Sequence, residues 1–175
     1  MLKTWSKKRV SPQDLALLAL LLALQIVLSR LLSISAPSVK IGFSFIQVML
    51  AARRYGAVGA AAVAGLGDFL GAILLPTGPY HPGFTLSAAL GAVIWGLLLY
   101  RSTAWWSLTA AVVSQKLLCS LGLNTLWLTQ ILGKGYFVLL PGRVLQAVVM
   151  TVVEILLGAL LLRNPTVDRL LQKRF

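Results

Sequence analysis

Four cations stand where a membrane-embedded chain tends to avoid them. Arg30, Lys40, Lys134 and Arg143 fall at the ends of apolar runs that, by charge counting, face away from the cytoplasm. The positive-inside bias depletes that side in Lys and Arg, so a group of cations there points to an anionic ligand. Lys40, His81 and Arg143 are moreover expected at the amino-terminal ends of three helices, where unpaired N–H groups and the positive dipole end already favour negative charge. A cation in a first helical turn costs about 0.3–1 kcal/mol. Three basic residues so placed suit carboxylates. Snorkelling of each cation to lipid headgroups is the competing reading.

Aromatic and amide groups gather at the same level. Phe43, Phe45, Tyr80, Phe84, Trp127, Tyr136 and Phe137 flank the outer ends, beside Asn124 and Thr125. Single aromatics there are ordinarily an interfacial belt. Asn124, however, can donate and accept at once, and Trp127 follows three residues later, a pairing that suits a flat heteroaromatic ring with an amide-like edge. Deeper, Asp68 and Lys116 stand about 18 Å above the inner side. An isolated intramembrane charge is costly and usually pairs or faces a cavity. An Asp68–Lys116 ion pair is one expectation; the other is that Asp68 accepts hydrogen bonds from a ligand. Glu154 sits lower, able to pair with Gln115 or Lys116 or to face a partner subunit.

These groups need a scaffold, and composition specifies it. The chain has 175 residues, 58% of them apolar and 11% charged, with only four acidic residues. Its mean hydropathy is +0.87. No water-soluble domain of this size could cover that much apolar surface. The net charge of +12 is spread between apolar segments, with no continuous basic face for nucleic acid. Cys119 is single, which excludes a disulfide framework and argues against a metal site. Lys3, Lys7, Lys8 and Arg9 precede the run 15–32, which is too long for a signal core of about 7–15 residues and is read as a retained span.

Six transmembrane helices are expected, at about 12–33, 41–52, 56–75, 83–100, 103–123 and 141–162. Ser11 and Pro12 cap the first. The second is short for a span and must be partly sheltered by its neighbours. Eleven cations (Lys3, Lys7, Lys8, Arg9, Arg53, Arg54, Arg101, Arg163, Arg169, Lys173 and Arg174) then fall inside and four outside, which puts both termini in the cytoplasm. The expected protein is all-α, a single transmembrane domain over 1–175 with short tails at about 1–11 and 164–175. The segments 76–84 and 124–140 are long, punctuated by Gly and Pro, and expected to act as lids. Ala16, Ala19 and Ala23 form one small-residue stripe and Gly67 and Gly71 another, for internal packing or for docking to a membrane partner. No phosphate loop, His pair or Ser/His/Asp set is present, so an enzyme is not expected.

The chain resembles the folate-specific substrate-binding (S) component of energy-coupling factor transporters. The resemblance runs from the first span to the last. It rests on Lys40-Ile41-Gly42-Phe43-Ser44-Phe45, Gly65-Leu66-Gly67-Asp68 and Pro76-Thr77-Gly78-Pro79-Tyr80-His81-Pro82-Gly83-Phe84-Thr85, and continues in Asn124-Thr125-Leu126-Trp127-Leu128, Gly133-Lys134-Gly135 and Leu140-Pro141-Gly142-Arg143. Two departures are Gln47, where Pro or a small apolar residue is common, and His81 in place of an aromatic. The resemblance implies a six-helix bundle in the cell membrane that captures folate from outside and has no ATPase activity or cofactor of its own. Its partners would be a transmembrane coupling protein and two ATP-binding cassette ATPases, which alone use ATP, and release would follow toppling of the subunit. The family's Ala-x-x-x-Ala docking motif falls on Ala19 and Ala23, with Ala16 on the same stripe. The pterin would lie near Asn124 and Trp127 and the glutamate carboxylates near the outer cations. Candidate substrate contacts are therefore Arg30, Lys40, Phe43, Asp68, Tyr80, His81, Phe84, Asn124, Thr125, Trp127 and Arg143. Competing classes are an S component for another anionic vitamin, an autonomous anion transporter or channel, and an integral-membrane enzyme.

Overall fold

Ser11 opens the first helix, α1 (Pro12–Ile26): extended at φ −67° and ψ 149°, it accepts a hydrogen bond from the Gln13 amide at 3.2 Å, and Pro12 takes the first position. This computed structural model describes residues 11–35, 40–76, 78–100, 102, 104–162, 164 and 167, without the side chains of 34, 35, 40 and 41. The cations Lys3, Lys7, Lys8, Arg9, Arg101, Arg163, Arg169, Lys173 and Arg174 lie outside the described residues, as do Thr77 and most of both tails. After α1 the helix widens into a π-helical turn, Val27–Leu31. Strands β1 (Ile34–Ser35) and β2 (Lys40–Ile41) pair antiparallel, Ile34 opposite Ile41. Then come α2 (Phe45–Leu74), α3 (Pro82–Leu99), α4 (Trp105–Gln115), a second π-helical segment Lys116–Leu123, α5 (Asn124–Leu132) and α6 (Tyr136–Leu162).

Five helical stretches among the described residues are long and apolar enough to cross a membrane: Pro12–Leu31, Phe45–Leu74, Pro82–Leu99, Trp105–Leu132 and Tyr136–Leu162. All five expose large apolar side chains, among them Leu15, Val58, Leu86, Trp106 and Phe137. So much apolar surface facing outward is compatible with lipid, not water. The polar residues turn inward instead, as Gln25, Gln47, Lys116, Arg143 and Glu154 do.

Helix α2 reverses direction within its span. Gln25 of α1 accepts a hydrogen bond from Gln47, and its side chain also fills the space above Gly67. Twenty residues of straight helix would hold positions 47 and 67 about 30 Å apart, so the limbs 45–55 and 57–74 must fold back on each other. The break is Gly56, at φ 71° and ψ −161°, a conformation that residues with a Cβ rarely adopt. Gly96 of α3 sits against this turn so closely that a Cβ there would lie 2.3 Å from the Ala57 Cα. The short limb is sheltered as its length demands: Gln47, Met49, Ala51 and Ala52 are fully buried. Small residues line this interior, including Ala60, Ala64, Ala92 and Ala111, and permit close helix approach without a hydrophobic drive between helices.

Several boundaries differ from expectation. The segment 124–140 is not a loop: the fifth stretch continues as α5 to Leu132, and only residues 133–135 separate it from α6. Gly133, left-handed at φ 62°, is the true terminator. Helix α6 begins five residues before Pro141, so that proline sits inside the helix and not at its first position. Arg143 is consequently within α6, and Lys40 lies in β2, ahead of the α2 start at Phe45. Neither occupies a first helical turn. Gly67 faces α1 and Gly71 the π-helical turn that follows it, taking the side chains of Gln25 and Arg30, so that pair serves internal packing. Ala16, Ala19 and Ala23 lie exposed on the outer side of α1.

Candidate functional site

One end of the bundle holds a cavity of about 730 Å³, within the usual range for a small-molecule site. Its walls come from all six helices and both π-helical segments. The widened turns place Ser29 and Arg30 from one, and Lys116 and Ser120 from the other, on the wall. Such interruptions of an α-helix frequently mark functional sites. Along α6 the lining runs Arg143, Gln146, Met150 and Glu154, the spacing of one helical face.

Near the mouth, Arg30 donates through Nη2 to the Asp68 carboxylate at 3.3 Å and to the Asp68 carbonyl at 3.2 Å. The other carboxylate oxygen accepts from the Thr85 hydroxyl at 2.8 Å. With its one proton so committed, Thr85 accepts from Tyr80 at 3.1 Å. The expected Asp68–Lys116 pair does not form. Lys116 instead donates to Glu154 at 2.6 Å, deep in the cavity, because its segment faces α6 and not α2.

His81 is a helix cap. Its Nδ1 accepts from the Gly83 amide at 3.0 Å, and the ring stacks on Trp127 with centroids 5.2 Å apart. With Nδ1 engaged by the start of the helix it caps, that nitrogen is not available to donate to a carboxylate. Trp127 Nε1 donates to Ser87 Oγ at 3.0 Å and stands behind the wall.

Arg143 is 5% exposed. It donates to the Ser120 carbonyl at 3.0 Å and to Gln146 Oε1 at 2.8 Å, its Nε has no partner on the protein, and no ion pair joins it to a carboxylate among the described residues. Asn124 Oδ1, Gln115 Oε1 and Glu154 Oε2 are likewise buried without hydrogen-bond partners. A buried polar atom left unsatisfied costs about 1–3 kcal/mol. Four on the wall of one cavity mark places that a ligand can fill.

Of the sequence-predicted contacts, Arg30, Asp68, Tyr80, His81, Phe84, Asn124 and Arg143 share this cavity. Phe43 lies off the wall against Phe45, which does line it. Thr125 is fully buried and donates to the Ser120 carbonyl. Lys134 is exposed away from the cavity, and the Lys40 side chain lies outside the described residues. Sequence reasoning missed Gln25, Ser29, Ser87 and Gln146, and treated Gln115, Lys116 and Glu154 only as pairing groups. Their signal was available: polar residues recurring at helical spacing on one face of an apolar span.

A bundle greasy outside and polar within, closed at one end and hollow at the other, is a membrane-embedded binding protein. The family model described as "ECF transporter, substrate-specific component" matches residues 13–162. The chain is similar to the folate transporter FolT of Clostridium novyi (strain NT), 38% identical over 134 residues that cover 76% of this chain and 78% of that one. It is 28% identical over 180 residues to the folate transporter FolT of Leuconostoc mesenteroides subsp. mesenteroides, covering 99% of this chain and 97% of that protein. A crystal structure of FolT bound with folic acid superposes with a TM-score of 0.79 at 27% identity, over 85% of this chain and 90% of that one. The chain therefore belongs to the substrate-specific components of energy-coupling factor transporters, membrane proteins that serve transport and are not enzymes.

Proposed function

We propose that this protein captures folate at the outer face of the cell membrane and hands it inward as the binding subunit of a multi-subunit transporter. The observation that carries the reading is Arg143, a buried cation on a cavity wall with no carboxylate among the described residues to neutralise it. Leaving such a charge buried is expensive unless a counter-charge arrives. Folate supplies two carboxylates on a flexible tail and a flat ring for the aromatic wall. The names of the relatives and the folic acid bound by the solved structure support the same ligand.

The reversal at Gly56 supports six membrane crossings in one domain. Arg53, Arg54 and Asp14 mark the end opposite the cavity, which supports cytoplasmic termini and an outward-facing mouth. Among the candidate contacts we assign Arg30, Asp68, Tyr80, His81, Phe84, Asn124 and Arg143 to the wall, with Thr125 and Trp127 bracing it. Ala16, Ala19 and Ala23 are exposed along α1 and would dock a transmembrane coupling protein carrying two ATP-binding cassette ATPases. Those partners would use ATP; this subunit needs no cofactor.

Isothermal titration of the purified, folate-depleted protein with folic acid tests the reading. Saturable binding tighter than micromolar is expected. Binding no tighter than millimolar, or a stronger preference for another vitamin in a competition panel, would overturn it.

A further inference from the structure

Two buried glutamines meet between α1 and the short limb of α2. Gln25 is 5% exposed and lines the cavity, whereas Gln47 is fully buried and does not reach the wall. Gln47 Nε2 donates to Gln25 Oε1. That bond engages the one acceptor atom of the Gln25 side chain. The Gln25 amide nitrogen, by contrast, meets no acceptor among the described residues. The stem of Gln25 is fixed as well. It fills the space that Gly67 leaves, where a Cβ would stand 2.3 Å from the Gln25 Cγ. With stem and oxygen both held by α2, the polar group that Gln25 leaves to the cavity is its NH2.

Gln47 is a poor choice for stability alone. Its own Oε1 is buried with no donor from the protein, a desolvation cost that an apolar side chain of the same length would avoid. What Gln47 does settle is which way Gln25 faces. Turned over, the Gln25 amide would set its NH2 against the NH2 of Gln47, donor against donor. We infer that Gln47 is a positioning residue for the ligand: it locks the Gln25 amide with its donors, and not its oxygen, left to the cavity. This part of the wall then takes a ligand carbonyl, ring nitrogen or carboxylate oxygen and disfavours a ligand donor. Without Gln47 the Gln25 amide presents either end, and it must be turned and fixed when the ligand arrives. A donor oriented beforehand avoids that cost. The inference rests on the folate reading, and folic acid carries acceptors of all three kinds.

The test is a double-mutant cycle read by titration calorimetry with folic acid. Gln25→Met and Gln47→Met keep side-chain length and flexibility while removing the polar ends. Each alone should weaken folic acid about three- to tenfold, the size of one hydrogen bond between neutral groups. In the Gln25→Met background, Gln47→Met should change the affinity by less than about twofold, because Gln47 acts only through Gln25. The melting temperature of ligand-free Gln47→Met should hold or rise, since its orphaned oxygen is gone and the Gln25 amide can turn to water in the cavity. A glutamine that merely supports the fold would lower the melting temperature and weaken folic acid by the same factor in both backgrounds. That result overturns the inference, as does wild-type affinity in either single variant. Should Gln47→Met fail to fold, Gln47→Leu carries the same cycle with the same expectations. Each of these failures leaves folate binding by the wild-type protein intact. Wild-type protein that binds no folic acid at all overturns the folate reading and this inference together.

Discussion

The two ends of the bundle differ in how completely they satisfy buried polar groups. At the closed end every described charge meets its complement: Arg54 donates to Asp14 at 3.0 Å, the Tyr55 hydroxyl donates to the same carboxylate at 3.2 Å, and Arg53 donates to the carbonyls of Leu99 and Tyr100 at the carboxyl end of α3. The last of these sets a cation where the helix dipole is negative. Along the cavity Arg143 finds only neutral acceptors, and the buried oxygens of Asn124, Gln115 and Glu154 on its wall go unfilled. Complete satisfaction is the signature of a region built for the fold. Incomplete satisfaction at this depth is the signature of a region completed by something else.

Substitutions should sort by end. The largest effect is expected from Gly96→Val: its side chain would press on the Ala57 backbone, which cannot yield as a flexible side chain could. A loss of about 3 kcal/mol is expected in thermal unfolding in detergent, with folate affinity unchanged in the protein that remains folded. Next is Arg143→Ala at the open end, where folate affinity should drop about tenfold or more. The ligand-free melting temperature should hold or rise, because a buried unpaired cation is gone; a fall in stability with unchanged affinity would erase the distinction between the ends. Gly56→Ala should cost about 1–2 kcal/mol through its positive φ and its contact with the Tyr100 ring, read again as a melting shift without an affinity change. Arg53→Met should be mildest, about 1 kcal/mol, from the lost bonds to the end of α3.

Much of the frame was legible in the sequence, because hydropathy and charge are set locally. Arg53 and Arg54 interrupt an apolar stretch just before Gly56, and the chain turns there. Ser11 and Pro12 read correctly as a helix start for the same reason. What failed depended on lateral neighbours. Depth alone matched Asp68 with Lys116, whereas Gly67 and Gly71 let α1 settle on α2 and deliver Arg30 to Asp68. Asn124 and Thr125 read as the end of a span, yet each disfavours a helix by only about 0.7 kcal/mol. The chain continues through them because packing outweighs so small a preference, and only the left-handed Gly133 stops it. Of the seven candidate contacts that line the cavity, six were chosen for an outer position and Asp68 as an isolated intramembrane charge. The floor was legible only as pairing groups: Glu154 was matched with Gln115 or Lys116, and the Lys116 pair forms, but no spacing in the sequence marked these residues as cavity wall.

The contact between Gly96 and the Gly56 turn has a mechanical corollary. Main chain rests on main chain there, with no intervening rotamers to absorb a shift, so α3 and both limbs of α2 are bolted into a single stiff plate. The π-helical segment Lys116–Leu123, which packs against both α3 and α6, is by contrast an irregular stretch beside that plate, of the kind that often marks a working part of a helix.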